Sequence, residues 1–185
     1  IEKVPRELFL PSNFHSYAYQ NNPLPIGFEQ TISQPYIVAL MTEAMELKGN
    51  EIILEIGTGS GYQTSVLSLL SRRVYSIERI KPLLVNALLC FKKLKLTNIV
   101  CEHGDGFLGW PKLAPFDHLI ITCAIKKIDD RLLNQVRYNG ICIAPVVTST
   151  NQQRLKKIII KDTRDKDVWE DLGEVSFVPL ISEYD

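Results

Sequence analysis

The stretch IILEIGTGSG, residues 52–61, decides the fold of this chain. Its apolar residues flank Glu55, and glycines then alternate at Gly57, Gly59 and Gly61. A buried apolar run that ends in a glycine-dense turn before a helical pattern is typical of a parallel strand feeding a βα unit. Glycine lets the backbone approach a ligand closely, because it has no Cβ and accepts positive φ. The stretch therefore predicts a ligand site at the end of a central strand.

The spacing of the turn indicates which kind of ligand. A dinucleotide fingerprint reads G-x-G-x-x-G, whereas here the pattern is E-x-G-x-G-x-G. It resembles motif I of the S-adenosylmethionine-dependent methyltransferases. A carboxylate at the strand end suits a ligand that carries an ammonium and a sulfonium, and it would repel a pyrophosphate. The alternative is a glycine-rich turn that binds nothing.

Composition bounds the class of protein. The 185 residues are 45% hydrophobic, enough for one substantial core and a single α/β domain. Lys plus Arg and Asp plus Glu are each 21, so the formal net charge is zero. This balance gives no chain-wide field for a polyanion and does not favour a nucleic-acid substrate, although it leaves a local basic patch open.

Cysteine usage and hydropathy bear on location. Cys90, Cys101, Cys123 and Cys142 lie far apart with no C-x-x-C pair, which favours buried, reduced thiols over a metal site or disulfides. The chain has no run of about 18 apolar residues and no signal or transit peptide at its start. We therefore expect a soluble, cytoplasmic protein, most simply a monomer, with no membrane partner.

The remaining pattern alternates strands and helices after a loop at residues 17–27. Residues 31–35 open a first helix, with Pro35 in its first turn and Gly49 as its stop. Such alternation predicts an α/β fold with a doubly wound, mostly parallel sheet and helices on both faces. Residues 161–170 should be a charged turn within an antiparallel edge hairpin. After the first strand, further strands are expected at 74–77, 99–101, 116–122, 140–145, 156–160 and 174–178, and helices at 62–70, from 82 and at 129–136.

Three acids follow successive strands of this predicted sheet. Glu78 comes 23 residues after Glu55, close to the offset at which an acid meets ribose hydroxyls in nucleotide-binding units. Asp105, between two glycines, could accept from an adenine amine. Each acid alone is more often a loop carboxylate or a cap. Together they favour a ligand site, because ligands bind at the carboxyl edge of such sheets.

Longer segments carry a family resemblance. The chain contains VPRELFLP, PLPIGFEQTISQPYIVALMTE, LEIGTGSGYQT, VYSIER, GDGFLGWP and FVPL between residues 4 and 180. In order and spacing these resemble the protein-L-isoaspartate O-methyltransferase family. The resemblance implies methyl transfer from S-adenosyl-L-methionine to the α-carboxylate of isoaspartyl residues in damaged proteins and peptides, with S-adenosyl-L-homocysteine as product. The methyl ester then collapses to a succinimide, which starts repair.

The same resemblance implies roles for particular residues. Glu55 and residues 57–61 would line the methionine part of the cofactor, Glu78 would hold the ribose, and Asp105 the adenine. Residues 1–34 would form a substrate and active-site segment, and residues 35–185 the cofactor-binding core. The implied cofactor set is Thr31, Ile32, Glu55, Gly57, Thr58, Gly59, Ser60, Gly61, Glu78, Arg79, Asp105 and Gly106, with Ser33 as the active-site residue and no metal.

The chain departs from the family pattern in four places. A helical segment usual before VPRE is missing, which suggests a fragment. Asn21 stands where aspartate is usual, Lys126 where proline is usual, and Val147 where glycine is usual. We expect these three substitutions to affect substrate loops more than the cofactor site.

Chemistry leaves two rival functions open. A carboxylate is ionised at neutral pH and needs no strong base for methylation, which agrees with three scattered histidines, His15, His103 and His118. One rival is methylation of another carboxylate or of nucleic acid, although the Asn-Pro-Pro-Tyr type motif of amino-nitrogen methyltransferases is absent. The other is a non-catalytic binding module. Ser33 has its own alternative, since serine before a helix is commonly a cap.

Overall fold

A computed structural model describes residues 2–150 and 152–181. Its main sheet has seven strands in the order β5-β4-β3-β6-β7-β8-β9, and β1 and β2 form a separate two-stranded sheet. The strands are β1 (Leu24–Gly27), β2 (Gln30–Ile32), β3 (Ile52–Ile56), β4 (Arg73–Glu78), β5 (Ile99–His103), β6 (Phe116–Ile121), β7 (Val136–Val147), β8 (Gln153–Ile159) and β9 (Val168–Val175). The α-helices are α1 (Pro35–Ala44), α2 (Tyr62–Ser68), α3 (Lys81–Lys93) and α4 (Asp130–Leu133), with five short 3-10 helices among the described residues.

The predicted fold class is confirmed. Strands β3 to β7 pair in parallel, and β8 and β9 add antiparallel to one edge. Successive residues of β3 face opposite ways, as strand geometry requires. Ile53 packs in a cluster with Ile37 and Met41 of α1, whereas Leu54 packs in a cluster with Leu132 of α4. Helices therefore cover both faces of the sheet.

The first large difference from the sequence prediction is a hairpin. Residues 17–27 were expected to be a loop, but Leu24–Gly27 pairs antiparallel with Gln30–Ile32. The turn between them places Gly27, Phe28 and Glu29 at positive φ. Two prolines and a strand of three residues leave almost no period-two signal, so the pairing was not visible in the sequence.

Helix α1 begins where predicted and ends early. Pro35 is its first residue, but the helix stops at Ala44 rather than at Gly49. Glu46 follows with φ of 54°, a left-handed conformation that ends the helical hydrogen bonding. Helix α3 begins at Lys81, buries Leu83, Leu84, Ala87 and Phe91, and leaves Leu88 exposed.

The segment after β6 was predicted wrongly in part. A helix was expected over residues 129–136, but α4 is one turn, capped by the Asp129 side chain. Val136 already begins β7, four residues before the expected start at Gly140. Strand β7 packs closely against β6 at Gly140. A Cβ at this position would lie 2.3 Å from the carbonyl oxygen of Asp117, so a glycine is required.

The edge hairpin is confirmed, with shifted bounds. Strand β9 runs over Val168–Val175 rather than over residues 174–178, so part of the expected charged turn belongs to the strand. The charges are paired across it, because Asp171 contacts both Arg154 and Lys156 of β8. The charged residues of the segment thus lie mostly in the turn before β9, and Glu170 lies on the exposed face of the strand.

Two further findings concern the cysteines and membranes. All four cysteines are free; Cys123 and Cys142 are buried as expected, but Cys90 and Cys101 are only partly buried. Across residues 2–150 and 152–181, none of the helices combines the length and apolar character needed to cross a bilayer.

Candidate active site

A cleft opens at the carboxyl edge of the sheet, where the strand order reverses. Strand β3 has β4 on one side and β6 on the other, so the chain switches direction there, and ligands bind at such switch points. The cleft is lined by the glycine turn, the end of β4 and the residues around Ser33. Of the predicted site residues, its wall includes Thr31, Ile32, Ser33, Gly57, Thr58, Gly59, Ser60, Glu78, Arg79 and Gly106, and not Glu55, Gly61 or Asp105.

The glycine turn is held against the sheet by its backbone. The amides of Gly57 and Thr58 both donate to the carbonyl oxygen of Ile77, at 2.9 and 3.3 Å. Gly57 has φ of 97°, and a Cβ on it would lie 2.4 Å from Thr122 Oγ1. Gly61 has φ of 86°, and a Cβ there would clash with Phe91 of α3. These two glycines serve close packing, whereas Gly59 faces the cleft.

Glu78 ends β4 and is oriented by two backbone amides. Its Oε2 accepts from the Gly59 amide at 2.7 Å, and its Oε1 accepts from the Ile80 amide at 2.8 Å. The residue is 5% exposed and lines the cleft. Each carboxylate oxygen keeps further acceptor capacity, so Glu78 is suited to bind vicinal hydroxyls. Arg79 lies next to it in the cleft wall and is exposed.

Glu55 lies behind the turn rather than in the cleft wall. It is fully buried, and its Oε2 accepts from the hydroxyls of Thr64 and Ser76 at 2.5 and 2.7 Å. Burial raises the pKa of Glu55 to about 7, against the effect of these two hydrogen bonds. The Ser76 hydroxyl also bonds Thr58 of the turn, at 2.6 Å. Glu55 thus stabilises the glycine turn through the Ser76 hydroxyl. Its direct contact with a ligand stays a prediction.

Asp105 acts as a local cap. Its Oδ1 accepts from the Phe107 amide at 2.8 Å and caps the 3-10 helix Gly106–Leu108. This cap places Gly106 in the cleft wall, where a Cβ would lie 2.4 Å from Ile56 Cγ2. The adenine contact expected for Asp105 stays a prediction.

Ser33 lies where two clefts meet. Thr31, Ser33 and Thr122 line both the first cleft and a second one beside it. The second cleft continues along residues 174–178, at the end of β9 and just beyond it. Ser33 is partly buried between them and belongs to the link between β2 and α1.

The structure does not support a capping role for Ser33. Gln34 is the N-cap of α1, and no side chain of the N-cap bonds the helix. The amide of Tyr36 donates instead to Asn21 Oδ1 at 3.0 Å, and the amides of Ile37 and Val38 donate to the carbonyl oxygen of Gln34. Pro35 has no amide hydrogen. The first amides of α1 therefore have partners other than the Ser33 side chain.

Sequence reasoning missed several residues of the site. Thr122 donates through Oγ1 to the carbonyl oxygen of Gly57 at 2.6 Å and locks the turn to β6. Residues 178–181 close the cleft, and Leu180 pairs with Ala124 through its backbone. The FVPL segment, residues 177–180, contributed to the family resemblance, but the sequence did not indicate what it does in the structure. Arg6 of VPRE is fully buried, donates through Nε to the carbonyl oxygen of Ala18 at 2.7 Å, and stacks on Tyr62.

The substituted positions fall in two places. Asn21 bonds α1, as described above. Lys126 and Val147 line a third cleft, which shares Pro179 and Leu180 with the first. They lie beside the ligand cleft rather than in it.

Comparison with known proteins agrees with the geometry. A family profile described as protein-L-isoaspartate(D-aspartate) O-methyltransferase matches residues 1–185. A protein-L-isoaspartate O-methyltransferase of Dictyoglomus turgidum is 49% identical over 184 residues, covering 100% of this chain and 82% of that protein. One of Vibrio vulnificus is 49% identical over 182 residues, covering 98% and 86%.

Solved structures show the same fold. A protein-L-isoaspartate O-methyltransferase structure superposes with a TM-score of 0.86 at 27% identity, covering 97% of this chain and 59% of that one. A Plasmodium falciparum homologue, solved in complex with S-adenosyl-L-homocysteine, has a TM-score of 0.83 at 24% identity, covering 97% and 87%. With a full-length profile match and relatives close to half identical, the chain belongs to the protein-L-isoaspartate(D-aspartate) O-methyltransferase family.

Proposed function

We propose that this chain transfers a methyl group from S-adenosyl-L-methionine to the carboxylate of L-isoaspartyl residues in damaged proteins and peptides, with Ser33 at the point of transfer. The observation that carries the proposal is the position of Ser33 on the wall shared by two clefts. One cleft has the features of a cofactor site. The other is open to a polypeptide.

The residues of the first cleft fit this cofactor. Glu78 presents an oriented carboxylate for the ribose hydroxyls. Gly59 leaves the space above the turn open, since a Cβ added to it would have Ile26 Cδ1 as its nearest neighbour, at 3.8 Å. When bound, the cofactor supplies an electrophilic methyl group on a sulfonium.

The protein's own part in the reaction is alignment and exclusion of water. The acceptor carboxylate is ionised at neutral pH, and none of the described residues that line the two clefts is a histidine. Ser33 would orient the carboxylate from the second cleft by hydrogen bonding. Residues 178–181 and the β1–β2 hairpin flank this position and limit access of water. Alignment of the acceptor carboxylate with the methyl group would lower the barrier by fixing the reacting groups in one geometry and by excluding water.

Paired peptides test the proposal. Two peptides of one sequence, one with L-isoaspartate and one with L-aspartate, are incubated with the protein and isotopically labelled cofactor. We expect label in the isoaspartyl peptide and almost none in its twin. Equal labelling would favour a general carboxyl methyltransferase. Bound cofactor with no labelling of either peptide would favour a binding module.

The wider setting is also part of the proposal. Four free cysteines suit a reducing compartment such as the cytoplasm, and the balanced charge suits polypeptide rather than nucleic-acid or membrane partners. We infer a monomer in which residues 1–34 serve the acceptor side and residues 35–185 the cofactor. Light scattering of the purified protein tests the oligomeric state.

A further inference from the structure

We propose that Asn21 is a positioning residue for methyl transfer, and that it acts through the hydrogen bond from the Tyr36 amide to its side-chain oxygen. This inference rests on the proposed function of Ser33. It starts from the backbone of α1. Pro35 is the first residue of the helix and has no amide hydrogen, so Tyr36 carries the first amide of the helix.

Of the amides of Tyr36, Ile37 and Val38 in the first turn of α1, that of Tyr36 is the one that bonds a residue outside the helix and its N-cap. Ile37 and Val38 both donate to the carbonyl oxygen of Gln34, at 3.1 and 3.2 Å, and the N-cap side chain makes no bond. The Tyr36 amide donates to Asn21 Oδ1 at 3.0 Å. Asn21 thus caps α1 from a position 15 residues earlier in the chain.

This bond closes the base of the β1–β2 hairpin. The last strand pair of the hairpin is Leu24 with Ile32, and the Asn21–Tyr36 bond lies just beyond it. The loop that it closes contains Thr31 and Ser33 at the clefts. The hairpin shares no strand pairing with the seven-stranded sheet. Its position therefore depends on side-chain contacts, which include the packing of Ile26 and Ile32 in the core and the Asn21–Tyr36 bond at the base of the hairpin.

The Asn21–Tyr36 hydrogen bond is exposed to solvent, so its removal should affect the position of the link more than the stability of the protein. Asn21 and Tyr36 are both exposed, so water can replace the lost partner when the bond is removed. Loss of the bond should cost little stability. It frees the link that carries Ser33, and small misplacements of a reacting group reduce turnover strongly.

Asn21→Ala and Asn21→Asp make the central comparison. Asn21→Ala should lower kcat for an isoaspartyl peptide at least fivefold, with the Kd for S-adenosyl-L-methionine within twofold of wild type. Asn21→Asp keeps an acceptor oxygen near a helix N-terminus that favours negative charge, and it should restore kcat to within twofold. Equal loss in both variants, or no loss in Asn21→Ala, would overturn the proposal.

Asn98→Ala is the matched control. The Asn98 side chain donates to the carbonyl oxygens of Ser68 and Ser71, at the start of β5 and away from the clefts. Its loss should lower Tm at least as much as Asn21→Ala and leave kcat unchanged. A similar kcat loss in Asn98→Ala would mean that general stability, not positioning, explains the effect.

Hydrogen exchange separates this proposal from the proposed function. The Tyr36 amide should exchange at least tenfold faster in Asn21→Ala than in wild type, whichever substrate the protein uses. Unchanged exchange would overturn the positioning role directly. Exchange that is faster in Asn21→Ala, together with a wild-type protein that labels no isoaspartyl peptide, would support the structural link. That combination would reject the proposed function instead.

Discussion

The two walls of the ligand cleft are built in different ways. The glycine turn and Glu78 are joined by backbone and carboxylate hydrogen bonds to β3 and β4, the centre of the sheet. The β1–β2 hairpin is a separate two-stranded sheet, and Ser33 lies in the link from it to α1. The hairpin is held by apolar contacts of Ile26 and Ile32 with the N-terminal segment and by the Asn21 bond. The wall formed by the glycine turn and Glu78 is thus part of the main sheet, and we call it the core wall. The wall formed by the hairpin and Ser33 is attached to the core by side-chain contacts, and we call it the attached wall.

This difference predicts which property each wall controls. Changes in the core wall should alter stability and cofactor affinity together, because the same bonds serve both. Changes in the attached wall should alter turnover with little effect on either. Three substitutions test this separation, from the largest expected effect to the smallest.

The largest effect concerns Glu55 under the glycine turn. Its pKa in the folded protein, about 7, lies above the ordinary value of 4.5, so the folded state binds more protons than the unfolded state. Its contribution to stability is fully present below pH 4.5 and is lost as pH rises through about 7. Glu55→Gln should reduce the fall in unfolding free energy between pH 5 and pH 8 by roughly 2 to 3 kcal/mol.

Urea denaturation of both proteins at the two pH values measures this. Other groups titrate in both proteins, so only the difference between their pH dependences is compared. Identical pH dependences would show that Glu55 is ionised when folded and that burial does not dominate its pKa.

The second effect concerns Glu78, at the surface of the same wall. If Glu78 binds the ribose as we propose, Glu78→Ala removes that hydrogen bond, and it also removes the acceptor of the Gly59 amide. Calorimetry should show a loss of roughly 1.5 to 3 kcal/mol in S-adenosyl-L-methionine binding. Glu102→Ala, an exposed acid on the neighbouring strand β5, should bind normally. Unchanged affinity in Glu78→Ala would remove the ribose assignment.

The smallest effect in free energy concerns Ser33, on the attached wall. Ser33→Ala should bind the cofactor almost normally and lose at least about tenfold in turnover, or 1.4 kcal/mol of barrier. Its Tm should match wild type, since the N-cap of α1 is Gln34. Ser16→Ala, an exposed serine outside the three clefts, is the control. Intact turnover in Ser33→Ala would contradict a role at the point of transfer.

The same contrast explains which parts of the site were predictable. Glu78, Gly57 and Gly59 lie in one short βα turn and at the end of the next strand, where local sequence and parallel pairing fix their positions. The Asn21 bond and the contribution of Thr122 link residues 15 and 65 positions apart. A polar residue in a loop gives no local signal of such a partner.

Three acidic residues with similar sequence contexts have different surroundings in the structure. Glu55, Glu78 and Asp105 all follow or end apolar runs, and the pattern suggested one shared role. In the structure Glu55 points into the core, Glu78 lies at the cleft and Asp105 caps a 3-10 helix. Position along the strand decides the first difference, because Glu55 pairs with Ser76, two residues before the end of β4, whereas Glu78 is the last residue of β4 and reaches the carboxyl edge of the sheet.

The sequence by itself determined the fold class, the parallel core, the glycine turn and the family. These follow from apolar periodicity and from glycines whose conformations other residues rarely adopt, both of which are local properties. Only the tertiary structure decided the hairpin over residues 24–32, the burial of Glu55, and the place of Ser33 between two clefts. Those depend on contacts between segments far apart in the chain, whose free energies are set by packing and burial rather than by local propensity.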